Sequence, residues 1–191
     1  MFTATFVVLA QSRSDYSHVA DPVSALAAGP NGWIQSVNFL VFGPLTIAFA
    51  IGLHLGMSPT RGGIVGPALL ALSGVGLILA GLFPWVRDAS GELIVPLGHL
   101  VGAVTTFVGA GLALILISRR MARDQRWRNL AAYTLASGIL IIVLFLATSR
   151  LAVPDDAPLH EITGLFQRAT IAVWFPNMIA LAMRLRRVER R

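Results

Sequence analysis

Three histidines, His18, His99 and His160, and a set of carboxylates that includes Asp21, Asp88 and Glu161 are the side chains of this sequence best suited to acid–base or metal chemistry. Zinc accepts imidazole and carboxylate ligands, usually three from the protein when the site is catalytic. General acid–base work draws on the same groups. Their spacing carries no motif: there is no HExxH stretch and no pair of histidines at i, i+4. A haem would need axial histidines at matching depth, which only His99 with His160 offers, because His54 lies at the far end of its apolar run. Zinc is therefore the only metal kept open and haem is not expected. The chain has no cysteine, which excludes thiolate ligands, thiol nucleophiles and disulfides. Ser17 and Ser24 stand near His18, but no GxSxG elbow is present to make either a nucleophile. Each histidine alone is equally explained by an interfacial or hydrogen-bonded role.

Arg168 is the most informative single residue. It lies about two turns inside a long apolar stretch, and an arginine at such depth is costly unless it faces other protein groups. Glu161 stands seven residues earlier, two helical turns, and so on the same face; Asp21 and Asp88 are partners offered by neighbouring connections. Gly164 leaves room beside that face. Two readings stay open, a structural ion pair that locks the last helix to a loop and a site for an anion or lipid headgroup. Gln35 and Asn38, one turn apart near the start of another apolar run, would extend a polar pocket if they faced Arg168. As inter-helix hydrogen bonds they need no function, and the same holds for Asn177 after Pro176.

The elements that position these residues follow from composition. Hydrophobic residues make up 55% of the 191, and charged ones only 13%, about half the share of a soluble domain. Five apolar stretches can each span a bilayer as a helix: Trp33 to Met57, Ile64 to Val86, Leu97 to Ile117, Leu130 to Leu151 and Ile162 to Leu185. They run without the alternation of a membrane barrel strand. Glycines at 74, 76, 81, 98, 102, 109 and 111 allow close helix approach. The opening "MFTATFVVLAQ" is apolar but covers only about half the hydrocarbon thickness. It reads as the outer half of a first helix, one that begins mid-membrane or has its true start upstream of Met1. The expectation is an all-α polytopic bundle of about six transmembrane helices, the first short or truncated, in a single integral membrane domain over residues 1–191.

All fifteen basic residues are arginine, and ten of them lie in "RRMARDQRWR" and the terminal "RLRRVERR". Two spans separate these segments, so they share one side, which the positive-inside rule assigns to the cytoplasm. Arg61 in "SPTRGG" falls on the same side. Both termini are then cytoplasmic. The net charge of +6 reflects topology and contacts with membrane lipids, not nucleic acid. Seven of the nine acidic residues, and His18, His99 and His160, fall on the opposite, outer face. The acid and imidazole chemistry gathers there.

In the first outer connection, "DYSHVADPVSALAAGPNGW", Asp21-Pro22 reads as a helix start and Gly29-Pro30 as its stop. The expectation is a short two-turn helix at the membrane interface, with Trp33 as an aromatic anchor.

"SDYSHVADPVSALAAGPNGW", "NFLVFGPLTIAFAIGL", "GLILAGLFPWVRD", "GHLVGA" and "GLFQRATIAVW", in that order, resemble the bacterial membrane family catalogued as domain of unknown function 998. The resemblance covers nearly the whole chain and implies six membrane helices in the bacterial plasma membrane. The family often has a fuller first helix and a second histidine near the position of His99. Both are missing here, which counts against a two-histidine metal site on that helix. The resemblance implies no activity. The leading expectation is an outward polar pocket that binds a lipid headgroup or small anion. The alternatives are a membrane-embedded hydrolase using the outer His, Asp and Glu groups, with or without metal, and a small transporter or accessory subunit. A homo-oligomer or a membrane partner protein is left open.

Overall fold

Inside a bilayer an apolar run must satisfy its backbone internally, and a helix does so within one segment. The computed structural model describes residues 1–59, 63–152 and 156–189, which leaves Arg61, Asp155, Arg190 and Arg191 outside the described residues. Six α-helices carry the fold of the described residues: α1 (Phe2–Gln11), α2 (Gly32–Gly56), α3 (Val65–Leu82), α4 (Leu97–Ala122), α5 (Arg128–Ala147) and α6 (Thr163–Glu189). The all-α bundle expected from composition is what is found. The departure from it is a two-stranded antiparallel ribbon, β1 (Val86–Arg87) and β2 (Leu93–Ile94), in the α3–α4 connection.

Among the described residues, four segments are long and apolar enough to cross a membrane, Gly32–Gly56, Val65–Leu82, Leu97–Ala122 and Arg128–Arg150. Only 28% to 50% of their most apolar windows is buried within the protein, so much of the apolar surface faces outward. Leu55, Leu97 and Trp33 are exposed, while Gln35, Thr46, Ser73, Thr134 and Asn177 are fully buried. Leucines such as Leu53, Leu70 and Leu114 are buried as well, but buried polar side chains together with many large apolar ones exposed on the outside suit a chain embedded in lipid. At 10 residues α1 is about 15 Å long, half a bilayer core. The 27-residue α6 has the length to cross but carries Gln167, Arg168 and Asn177 along its course.

Helices α2 to α5 pack in chain order, each against the next, and α6 closes the bundle against α5 and α2. Each of the three sequential crossings is centred on two facing glycines. A Cβ on Gly43 would stand 2.6 Å from the carbonyl oxygen of Gly74, and the reverse holds equally; Gly76 with Gly102, and Gly111 with Gly138, repeat the arrangement. The backbones touch there, with no side chain between them.

The molecule thus has two ends. One, the loop end, holds residues 12–31, the β-ribbon and residues 156–162. The other, the arginine end, holds the α2–α3 and α4–α5 connections and the end of α6.

Candidate functional site

At the loop end, residues 12–31 fold inward. The expected two-turn interfacial helix is instead a single 3-10 turn, Val23–Ala27, started by Pro22. All five of its residues are buried, so it is a plug among the helices and not a helix on the membrane surface. Asp21 does not cap it. Its carboxylate accepts the N–H of Ser17 at 2.7 Å, closing the loop on itself. Gly29 (φ +83°) and Asn31 (φ 57°) reverse the chain into α2, and the stop expected at Gly29-Pro30 is where the turn ends.

Arg13 fastens the plug. Its guanidinium is buried, donates to the carbonyls of Ala28 (2.6 Å) and Leu26 (3.4 Å), and forms a two-pronged pair with Asp15 at 2.6 and 3.0 Å. Those Arg13 hydrogen bonds hold the Asp15 carboxyl below the usual carboxylate range. Arg87 on β1 approaches the same carboxylate at 3.5 Å and ties the ribbon to the loop.

Arg168 holds the other side of the loop, but not through a carboxylate. Its Nη1 donates to the carbonyls of Asp21 and Gly164, each at 3.0 Å, and its Nη2 donates to the Tyr16 hydroxyl at 2.7 Å. The Tyr16 hydroxyl donates in turn to the Asp21 or Pro22 carbonyl, and its ring lies 5.6 Å from the guanidinium carbon. Burial pushes the Tyr16 phenol up, so it stays neutral and keeps both roles. The head of α6 is capped by backbone: the N–H groups of Gly164 and Leu165 donate to the carbonyls of Ala20 and Val19. This approach requires glycine at 164, where a Cβ would collide with the Asp21 carbonyl.

The ion pair expected between Arg168 and Glu161, Asp21 or Asp88 is therefore replaced by neutral acceptors. Glu161 is exposed. Asp88 is exposed at the tip of the ribbon, where the Ser90 hydroxyl and the N–H groups of Ser90 and Glu92 bind its carboxylate and lower its pKa. A guanidinium has five N–H donors. Arg168 uses three, which leaves its Nε–H and one Nη2–H unengaged, on a half-buried cation with no carboxylate in ion-pair contact among the described residues.

The histidines sit on separate elements. His99 is buried at the start of α4 and its Nδ1 lies 3.1 Å from the carbonyls of both Ala80 and Phe83, so Nδ1–H closes the end of α3. His18 is exposed with its ring edge-on to Tyr16 at 5.8 Å, and His160 is exposed in a 3-10 turn. Among the described residues no three His, Asp or Glu side chains are grouped as a metal would require. Gln35 and Asn38 make no hydrogen bond to Arg168 among the described residues. The Asn38 amide donates to the Phe2 carbonyl (3.1 Å) and to Gln35 (3.3 Å), joining α2 to α1. Asn177 joins α6 to Thr134 and Ser137 of α5, the inter-helix role expected.

Behind the plug lies a cavity of about 30 Å³. Val23 and Gln167 form part of its wall, and most of the rest is aromatic, chiefly Phe39, Phe42, Trp174 and Phe175. The Trp174 indole N–H is buried and has no acceptor among the described residues.

The arginine end is built differently. Arg120 is buried and donates to the carbonyls of His54, Met57, Ser58 and Gly63 at 2.6 to 3.1 Å, closing the C-terminus of α2. Asp124 accepts from the Ser58 N–H and from Arg126. The Arg126 hydrogen bonds hold its carboxyl well below the usual range. Trp127 donates to the Gly56 carbonyl, and Arg184 of α6 to that of Arg126. As sequence, these arginines read as topology determinants and lipid contacts, not as fastenings of the α2 end. A signal was present: Arg120 falls three residues after Ile117 and seven after Ala113, on the stripe that α4 buries.

The family described as "Protein of unknown function (DUF998)" matches residues 1–184. Nothing matches among curated proteins or among solved structures.

Proposed function

The chain belongs to the DUF998 family, and from its own geometry we propose that it is a multi-pass plasma-membrane protein whose loop end faces outward and binds an anion, a lipid phosphate or small free anion, at Arg168. The arginine concentration at the other end supports that orientation, with both termini cytoplasmic. The observation that carries the binding reading is the state of Arg168. It is a half-buried cation bonded to carbonyl and phenol oxygens, with two N–H donors unengaged among the described residues. A guanidinium in that state suits phosphate, which it can meet with two parallel hydrogen bonds. The hydrolase alternative draws no support from His18, His99 and His160, which stand on separate elements.

Titration of the detergent-solubilised chain with inorganic phosphate, followed calorimetrically, tests the reading. The wild type should show one binding component that Arg168→Gln removes and Arg168→Lys weakens. Equal binding by the wild type and Arg168→Gln, or none by the wild type, defeats it. Reporter fusions after residues 123 and 191 should both report the cytoplasm; an external report at either reverses the orientation.

A further inference from the structure

We infer that the anion at Arg168 is the head of an amphiphile, a phosphate bearing a hydrocarbon chain, and that the aromatic cavity behind the plug receives the chain. This rests on the anion reading above and adds the other half of the ligand. The cation and the cavity share one helix face: Ile171 and Phe175, both in the cavity wall, stand three and seven residues after Arg168, so the wall extends about 10 Å along α6 from the charge. The plug runs in parallel. The Asp21 carbonyl touches Arg168, and two residues later Val23 is in the cavity wall. Polar head and apolar chain would thus meet matching groups in the same order on both elements.

The cavity wall is nearly all hydrocarbon and aromatic ring, so a chain enters without desolvating polar groups. Its one conspicuous unmet polar atom is the Trp174 indole N–H. A buried donor without an acceptor is costly, and an ester carbonyl in the chain supplies one. With about 30 Å³ the cavity holds a water or two, so the chain enters by displacing Val23. Arg168, Gly164 and Leu165 hold the segment before the turn and Arg13 holds the residues after Ala25. Around Val23 itself the bond to α6 among the described residues is a long one, from the Ser24 N–H to Gln167 at 3.3 Å, which is consistent with such movement.

The probes are glycerol 3-phosphate, which is a head alone, and 1-octanoyl lysophosphatidic acid, with a version brominated in the chain, all titrated against the full chain in detergent. The octanoyl compound should bind roughly tenfold tighter or more than glycerol 3-phosphate. The brominated version should quench tryptophan emission, with part of the quenching lost in Trp174→Phe. Because the chain has no cysteine, Ser24→Cys combined with Gln167→Cys gives a plug that can be cross-linked. Oxidation should abolish the advantage of the octanoyl chain and reduction should restore it. If both probes bind equally and Trp174 is not quenched, the chain site is wrong and the anion site stands. If the advantage survives cross-linking, the chain lies elsewhere and the inference falls. If neither probe binds, the anion reading itself falls.

Discussion

Arg120 and Arg168 are both arginines drawn into the bundle near helix ends, and they are bound in opposite ways. Arg120 meets four carbonyls of one connection and the ring nitrogen of His54, so its donors are taken up in closing α2. Arg168 meets two carbonyls and a phenol and keeps two donors in hand. A saturated guanidinium is a fastening. One left partly unsaturated without a carboxylate is both a fastening and an open charge. Counting donors, more than depth or burial, separates the two roles.

The comparison breaks most readily at Arg120. Arg120→Ala leaves buried carbonyls without donors and should cost roughly 3 kcal/mol or more. Arg120→Lys should recover little of it, since an ammonium cannot span the four oxygens. Thermal melts of the purified variants check this, and a near-wild-type melt for Arg120→Ala would mean the fastening is ornamental.

Gly164→Ala comes next. Its methyl would collide with the Asp21 carbonyl, forcing the loop off α6 at about 1–3 kcal/mol. Because the loop supplies Tyr16 and Asp21 to Arg168, phosphate binding should fall with it. Limited proteolysis within residues 14–22 should accelerate, and unchanged cleavage would show that the loop is held by Arg13 alone.

The smallest effect is expected at Asp124. Its pKa is lowered in the folded protein, so its stabilisation is present at neutral pH and is lost as pH falls below the ordinary carboxylate range. Asp124→Asn should cost about 1 kcal/mol at neutral pH, since its partner Arg126 is half exposed. The difference between wild type and variant should shrink on acidification. A difference that stays constant from neutral to acid pH would assign the cost to the lost shape of the side chain and not its charge.

The helices were legible in the sequence because a bilayer demands long apolar runs, and those runs stand out against polar connections. The plug was legible only in part. Pro22 and Gly29-Pro30 do bound it, but Val23, Ala25 and Leu26 are as suited to a lipid surface as to a protein interior. Arg168 stood out by its depth, yet its partners did not, because backbone carbonyls have no signature in a sequence. Arg13 and Tyr16 were missed for the same reason: one binds carbonyls, and the other relays a hydrogen bond between backbone and guanidinium.

The facing glycines bear on how the protein is made. Each pair joins a helix to the one synthesised just before it, α3 to α2, α4 to α3 and α5 to α4. Every new span emerging from the ribosome finds its docking groove already in place on its predecessor, so this wall can assemble in the order of translation. The last helix has no such glycine partner on α5. It packs instead against both ends of the wall, α2 and α5, and its own head holds the loop of residues 12–31 in place.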